Sequence, residues 1–219
     1  MNIVAIVSGG MDSAVMVYAL RRDGHNVQAL SFNYGQKHAV ELGFAKEMCA
    51  ELGVPWSLID LSSLRGFIGG DSSQMRDDVP VPDGHYTEEV MKQTVVPNRN
   101  MIMLSIAIAR AVATKSQAVA YGAHAGDHTI YPDCREVFAS AMATAAGLCD
   151  WHEVRLLRPF VEMSKADIAL LGHELGVPFE KTWSCYKGRS AHCGTCGTCV
   201  ERREAFQLAG VPDPTRYAP

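Results

Sequence analysis

Two groups of residues carry the chemistry of this chain. The first is Ser8-Gly9-Gly10-Met11-Asp12-Ser13, set directly after the apolar run Ile3–Val7. A buried strand that breaks into two glycines and then opens a helix makes an anion site. The glycines let the backbone turn tightly and approach a ligand closely. Successive N–H groups form a nest, and the helix N-terminus adds its positive dipole end. Ser8 and Ser13 can donate hydroxyls to the same oxygens. The string is not a Walker A loop, which requires G-x-x-x-x-G-K-[ST] and a lysine for the outer phosphates. Asp12 is a candidate Mg²⁺ ligand, since Mg²⁺ prefers carboxylate and phosphate oxygens. An aspartate in a first helical turn is also favoured by the dipole alone.

The second group is Cys185, Cys193, Cys196 and Cys199, in the pattern C-x7-C-x2-C-x2-C. Four thiolates within so short a span, with Gly194 and Gly197 inside the knuckles, suit one tetrahedral ion. An iron–sulfur cluster is the rival, because C-x2-C-x2-C also begins a ferredoxin run. The ferredoxin continuation C-x3-C-P is missing, and Val200, Glu201 and Arg202 stand there instead. A closed four-thiolate zinc site, structural in role, is expected. His192 adjoins Cys193 and is a spare ligand at most. Cys49, Cys134 and Cys149 have no partner spacing, and Cys49 reads as a core residue.

These groups need a scaffold. The chain has 219 residues, enough for one large α/β unit with an appendage, and 47% of them are apolar. Charged residues make up 20% and the net charge is −4, so a strongly basic nucleic-acid footprint is absent. No apolar run approaches the ~18 residues of a membrane span. The start Met1-Asn2-Ile3 enters a strand with no basic leader, which predicts a cytosolic chain. In that compartment cysteines favour metal ligation or free thiols over disulfides.

Strand-like and helical patterns alternate. Strands are expected at Ile3–Val7, Val27–Phe32, Trp56–Leu61 and Ala118–Tyr121. Helices are expected at Asp12–Arg22, Gln36–Leu52, Asn100–Thr114 and Arg135–Leu148. In Gln36–Leu52 the stripe is Val40, Phe44, Met48 and Leu52. Asn100–Thr114 reads as buried on most sides. Another helix follows the Ser164-x-x-Asp167 capping box and stops at Gly176-Val177-Pro178. The order implies a Rossmann-like parallel sheet with helices on both faces. Such sheets bind ligands outside the carboxyl ends of their strands. Ser8–Ser13, Asn33–His38 and His124–Arg135 should therefore open on one edge. Residues 62–98 show no clear periodicity and hold Gly69-Gly70 and Asp83-Gly84, as a lid or flexible loop would. The expected division is a nucleotide-binding unit over 1–180 and a metal-binding subdomain over 181–219.

The string SGGxDS resembles the PP-loop of the ATP pyrophosphatase superfamily. In that superfamily the loop holds the β- and γ-phosphates while the α-phosphate is attacked. Other strings narrow the resemblance: Phe32-Asn33-Tyr34-Gly35-Gln36-Lys37-His38, Val96-Pro97-Asn98-Arg99-Asn100, Tyr131-Pro132-Asp133-Cys134-Arg135 and Ser184-Cys185-Tyr186. Together with the cysteine pattern, the chain resembles the 7-cyano-7-deazaguanine synthase family over nearly its whole length, most weakly in 62–95. The resemblance implies conversion of 7-carboxy-7-deazaguanine and ammonia to the nitrile, using ATP, Mg²⁺ and a structural Zn²⁺. It implies that Ser8, Gly9, Gly10, Met11, Asp12, Ser13, Ala14, Val15, Met16, Val17 and Tyr18 form the ATP segment. Asp12, Ser13, Lys37 and Arg99 are the expected catalytic residues. Arg99, Asn100, Asp127, Asp133, Arg135 and Lys165 are the expected substrate contacts. Asp127 and Asp133 are candidates to accept hydrogen bonds from a guanine-like N1–H and exocyclic amine. Lys165 is badly placed for a helix dipole, which points to a ligand. Tyr131, Trp151 and Trp183 are candidates to stack on a flat base, or else are core residues. The expected assembly is a homodimer without nucleic acid or membrane partners. The rivals are a PP-loop enzyme acting on tRNA, and a non-catalytic adenine-nucleotide-binding module.

Overall fold

The computed structural model describes residues 1–85, 87–124 and 131–218. Five strands form one parallel sheet in the order β3-β2-β1-β4-β5: β1 Asn2–Ile6, β2 Asn26–Asn33, β3 Trp56–Asp60, β4 Ala118–Ala120 and β5 Arg155–Leu157. Every pairing is parallel, with Ile3 opposite Val27 on one side and Ala118 on the other. Strand β1 is central and buried on both faces. Its alternating side chains feed two cores, with Ile3, Ala5 and Val7 in one and Val4 in the other. The chain steps outward from β1 through β2 to β3, then returns to pair β4 on the opposite side. That reversal is the switch point at which open α/β sheets leave a crevice.

Four helices cover one face: α1 Met11–Arg22, α2 Glu41–Glu51, α7 Lys165–Glu174 and α8 Gly197–Ala209. The other face carries α5 Arg99–Ala113 and α6 Glu136–Leu148. Strand β5 and helix α8 lie outside the expected elements. β5 has only three residues, and α8 is mostly polar, so neither leaves a periodic signal. Ala205 and Phe206 of α8 join the same core as β1 and α1. The C-terminal segment therefore shares the core of the sheet.

Helix α2 begins at Glu41, five residues later than its apolar stripe suggests. Gln36 is occupied elsewhere: its Oε1 accepts the Tyr34 N–H at 3.0 Å and its Nε2 donates to the Phe32 carbonyl at 3.1 Å. Those bonds hold a turn where a helix would otherwise start. Val40 consequently leaves the stripe and is exposed. Helix α5 is buried along Leu104, Ala107, Ile108 and Ala111 only, and Met101 is exposed. The Ser164 capping box is present, with the hydroxyl accepting from Asp167 N at 3.2 Å and Asp167 accepting from Ser164 N at 2.8 Å.

Residues 62–98 contain two short helices, α3 Arg65–Ile68 and α4 Glu88–Lys92. Ser72, Ser73, Gln74, Met75 and Thr94 are buried. Asp83 makes an isolated bridge to Cys196, and Gly84 N donates to Thr195 O at 2.8 Å, tying this segment to the cysteine knuckle. No described helix is long and apolar enough to cross a membrane.

Candidate active site

A cavity of about 220 Å³ opens at the carboxyl edge of the sheet, at the β1 end. Five helices begin at it. Met11 of α1, Glu41 of α2, Arg99 of α5 and Lys165 of α7 are first residues of their helices, and Thr198 is the second residue of α8; all line the cavity. Their unpaired N–H groups and dipoles make the space electropositive before any side chain is counted.

The phosphate loop lies between β1 and α1. Gly9 has φ +95°, and a Cβ there would lie 2.1 Å from the Glu41 carbonyl oxygen. Ser13 Oγ closes the loop, accepting from Gly9 N at 3.3 Å and donating to Gly10 O at 3.1 Å. Ser8 Oγ accepts from Gly10 N at 3.2 Å. Ser8, Gly10, Met11 and Asp12 line the cavity. Ala14, Val15, Met16 and Val17 do not: they are buried in the core, and Tyr18 packs against it. After one turn the helix has turned into the core, so these five residues anchor the loop from behind.

The cavity has two poles. At one, Lys165 Nζ donates to Asp12 Oδ2 at 2.6 Å, lies 3.2 Å from His124 Nε2 and 3.8 Å from Glu201. Burial alone would raise the Asp12 pKa, but Lys165 and His124 more than offset it and hold the carboxyl below its ordinary value. Burial pushes the Glu201 carboxyl up. At the other pole Arg99 Nη1 donates to Tyr34 Oη at 3.3 Å and Gln74 Oε1 at 3.4 Å. Beside it sit His38 and Glu41, with His38 Nε2 3.5 Å from Glu41 Oε1 and Gln36 Nε2 donating to the same oxygen at 3.3 Å. Burial drives the Glu41 pKa up to about 8 and the His38 pKa down to about 3.

The C-terminal segment supplies the remaining wall: Trp183, Ser184, Tyr186, Thr198 and Glu201. Trp183 N donates to Gly9 O at 2.9 Å, which fastens this wall to the phosphate loop. Arg202 is fully buried and donates to Ser184 Oγ at 3.0 Å, Thr182 Oγ1 at 2.9 Å and the Phe179 carbonyl at 2.8 Å.

The four cysteine sulfurs lie within 4.8 Å of one another, with Cys193–Cys199 at 3.9 Å and Cys185–Cys196 at 4.0 Å. Tetrahedral Zn–S geometry requires sulfurs ~3.8 Å apart, so the donor set fits one ion. Backbone N–H groups of Thr195 and Cys196 point at Cys193 Sγ from 3.4 and 3.2 Å, as they do around a thiolate. His192 is not a fifth donor. Its Nε2 accepts from Ser184 N at 3.1 Å, and its ring packs 4.4 Å from Trp183.

Of the other expected site residues, Arg99 and Lys165 reach the cavity. Lys37 does not: its ammonium donates to the Val79 carbonyl at 2.6 Å, in a separate surface groove with Asp83 and Lys187. Asn100 and Asp133 hold each other, Asn100 N donating to Asp133 Oδ2 and Asn100 Nδ2 to Asp133 O, both at 3.3 Å. Neither lines the cavity, and Arg135 is exposed at the start of α6. Asp127 lies outside the described residues. Trp183 lines the cavity, stacked on Phe44 at 5.6 Å. Trp151 is fully exposed, neither core nor cavity, because the turn after α6 carries it off the sheet. Tyr131 bonds Thr94 Oγ1 at 2.6 Å. Sequence reasoning placed Tyr34, His38 and His124 at the ligand edge only as members of the segments Asn33–His38 and His124–Arg135, and did not select Glu41 or Glu201. His38 and Glu41 stand three residues apart just past a strand, a signal that was available.

A family profile described as Queuosine biosynthesis protein QueC matches residues 2–210. A protein of Methanoregula boonei named 7-cyano-7-deazaguanine synthase is 51% identical over 219 residues, covering all of both chains. Among solved structures, the U34-tRNA thiolase NcsA of Methanococcus maripaludis superimposes with TM-score 0.55 at 17% identity, over 97% of this chain and 74% of that one. The NMN synthetase of Francisella tularensis gives 0.54 at 18%, over 96% and 78%. At such low identity the structural likenesses establish a shared fold and no more.

Proposed function

This chain belongs to the 7-cyano-7-deazaguanine synthase family, and we propose that it converts 7-carboxy-7-deazaguanine and ammonia to the nitrile at the cavity described above. The observation that carries this reading is the convergence in one cavity of a phosphate loop, Lys165 and a half-buried Arg99. A triphosphate and a carboxylate both need such cations and N–H groups.

A carboxylate is a poor electrophile and hydroxide a poor leaving group. Transfer of AMP to the carboxylate oxygen solves both problems and expels pyrophosphate. Ammonia then displaces AMP and leaves the amide. A second adenylation, on the amide oxygen, lets AMP depart and leaves the nitrile. In this reading the Ser8–Ser13 loop holds the outer phosphates, and Lys165 balances charge at the α-phosphate. Arg99 receives the substrate carboxylate, and Trp183 or Tyr186 supports the flat ring. Positioning and charge neutralisation are the main work of the protein.

Asp12 Oδ1 is buried without a partner, so Asp12 fits a Mg²⁺ ligand; the ion would neutralise phosphate charge. The four cysteines fit Zn²⁺, whose role would be to hold the knuckle. A homodimer belongs to the same proposal. The exposed apolar side chains Val137, Leu148 and Trp151 on and after α6 are a surface that such pairing would cover.

The test supplies synthetic 7-amido-7-deazaguanine with ATP and no ammonia. Nitrile should form with one AMP per product. An amide that is inert while the carboxylate reacts in the same assay would sink the two-stage scheme.

A further inference from the structure

We propose that Glu41 is the base that takes protons from nitrogen, both when ammonia attacks the adenylated carboxyl and when the amide becomes nitrile. The inference rests on the reaction proposed above. In the first stage the N–C bond forms, the C–O bond to AMP breaks with its electron pair leaving on the phosphate oxygen, and one N–H proton goes to Glu41. In the second stage the amide oxygen bonds the α-phosphorus and pyrophosphate leaves. Glu41, its first proton passed to water, takes one of the two remaining N–H protons, passes that on in turn, and takes the last as C–O cleavage releases AMP. No electrons are exchanged with any other group. All three hydrogens of ammonia must therefore leave nitrogen, and a base resident beside it gives them a route.

Three carboxylates line the described cavity: Asp12, Glu41 and Glu201. Asp12 is bound to Lys165 at 2.6 Å, and Glu201 lies 3.8 Å from the same ammonium. Both belong to the phosphate pole and are engaged with Lys165, away from Arg99. Glu41 is different. Its Oε1 is held by Gln36 at 3.3 Å and faces His38 at 3.5 Å, and Oε2 has no bond among the described residues. Glu41 lies at the Arg99 pole, where the substrate carboxylate is placed. The titratable groups facing it are His38, Arg99, Tyr34 and Tyr186. His38 stays neutral, since burial and Arg99 hold its pKa down to about 3. His38 Nε2 lies 3.5 Å from Glu41 Oε1, and its Nδ1 is buried without a partner. Burial sets the Glu41 pKa at about 8, in the range a general base needs near neutral pH.

The experiment separates adenylation from amination in single turnovers of the zinc-loaded chain. Without ammonia, Glu41→Gln should release its first pyrophosphate within a few-fold of the parent. With ammonia, its amide formation should fall by ~10²–10⁴, the span a general base contributes. Glu41→Asp should recover part of that loss. Equal loss of both signals, or amide formation at the parental rate, would overturn the proposal. Absence of pyrophosphate release by the parent itself would instead sink the reaction reading. Should Glu41→Gln fail to fold, the parent decides. At constant free ammonia its amide formation should rise with pH through about 8, with no such limb in the pyrophosphate burst. A flat amide profile would count against Glu41.

Discussion

Adding one methyl group at Gly9 tests whether the phosphate loop is built around its contact with α2. Gly9 has φ +95°, where a side chain is strained whatever space surrounds it. Its Cβ would also lie 2.1 Å from Glu41 O and 2.9 Å from Ala45 N. Both are backbone atoms of a helix whose Ala45, Met48 and Cys49 are buried, so α2 cannot step aside. Strain costs about 1–3 kcal/mol and overpacking about 1–3 kcal/mol. Together these make about 2–6 kcal/mol, or a melting point lowered by about 4–24 °C for a chain of this size. The loop must lift, which also pulls on the 2.9 Å bond from Trp183 N to Gly9 O. Weaker ATP binding should accompany the lower melting point. Gly43→Ala is the control: that glycine lies exposed within α2 with nothing within 4 Å of its Cβ, and should gain about 0.5–1 kcal/mol. Thermal melts and ATP titrations of both variants read the outcome. A Gly9→Ala protein that melts with the parent and binds ATP equally would refute the packing argument.

Three further outcomes are expected. Asp12→Ala and Ser13→Ala should abolish ATP turnover while leaving the melting transition in place; parental turnover by either at saturating ATP and Mg²⁺ would remove the loop from the reaction. Elemental analysis should find one zinc per chain, and chelation should both lower stability and weaken ATP binding, because the knuckle carries Trp183 against Gly9. Iron with sulfide and visible absorbance would replace zinc by a cluster. Residues 62–98 should gain protection from proteolysis when ATP and substrate bind, through Gln74 on Arg99 and Asp83 on the knuckle. Identical cleavage with and without ligands would dismiss a lid.

The parts of this site that were legible in the sequence are those with rigid spacing. Ser8–Ser13 and the four cysteines are local motifs, so their geometry is fixed by a few neighbouring dihedrals. Lys165 was legible for another reason, as a cation in a first helical turn where the dipole disfavours it, and Arg99 was legible through the Val96-Pro97-Asn98-Arg99-Asn100 string of the resemblance. Lys37, Asn100 and Asp133 show the limit. Their residue types suit a ligand site, but the partners that engage them, the Val79 carbonyl for Lys37 and each other for Asn100 and Asp133, are visible only in three dimensions. Glu41 was obscured because the helix expected over Gln36–Leu52, with its apolar stripe, runs through it. Gln36 ends that stripe by folding back on Phe32 and Tyr34, and so places Glu41 at a helix start.

That placement explains how one small cavity tolerates three carboxylates and still suits anionic substrates. Asp12 and Glu41 sit in the first turns of α1 and α2, where the helix dipoles favour negative charge. Lys165 sits where its own helix opposes it, and is held there by Asp12 and Glu201. Removing either carboxylate would leave a cation crowded by five helix N-termini. The cysteine knuckle belongs to the same balance. It delivers α8, and with it Thr198 and Glu201, to the rim beside the phosphate loop, while Arg202 buries its charge among Thr182, Ser184 and the Phe179 carbonyl to fix that wall. A metal held by those thiolates is structural in its coordination, yet the wall it stabilises faces the reacting groups. The boundary between nucleotide-binding unit and metal-binding segment is therefore a boundary in sequence that the active-site cavity does not respect.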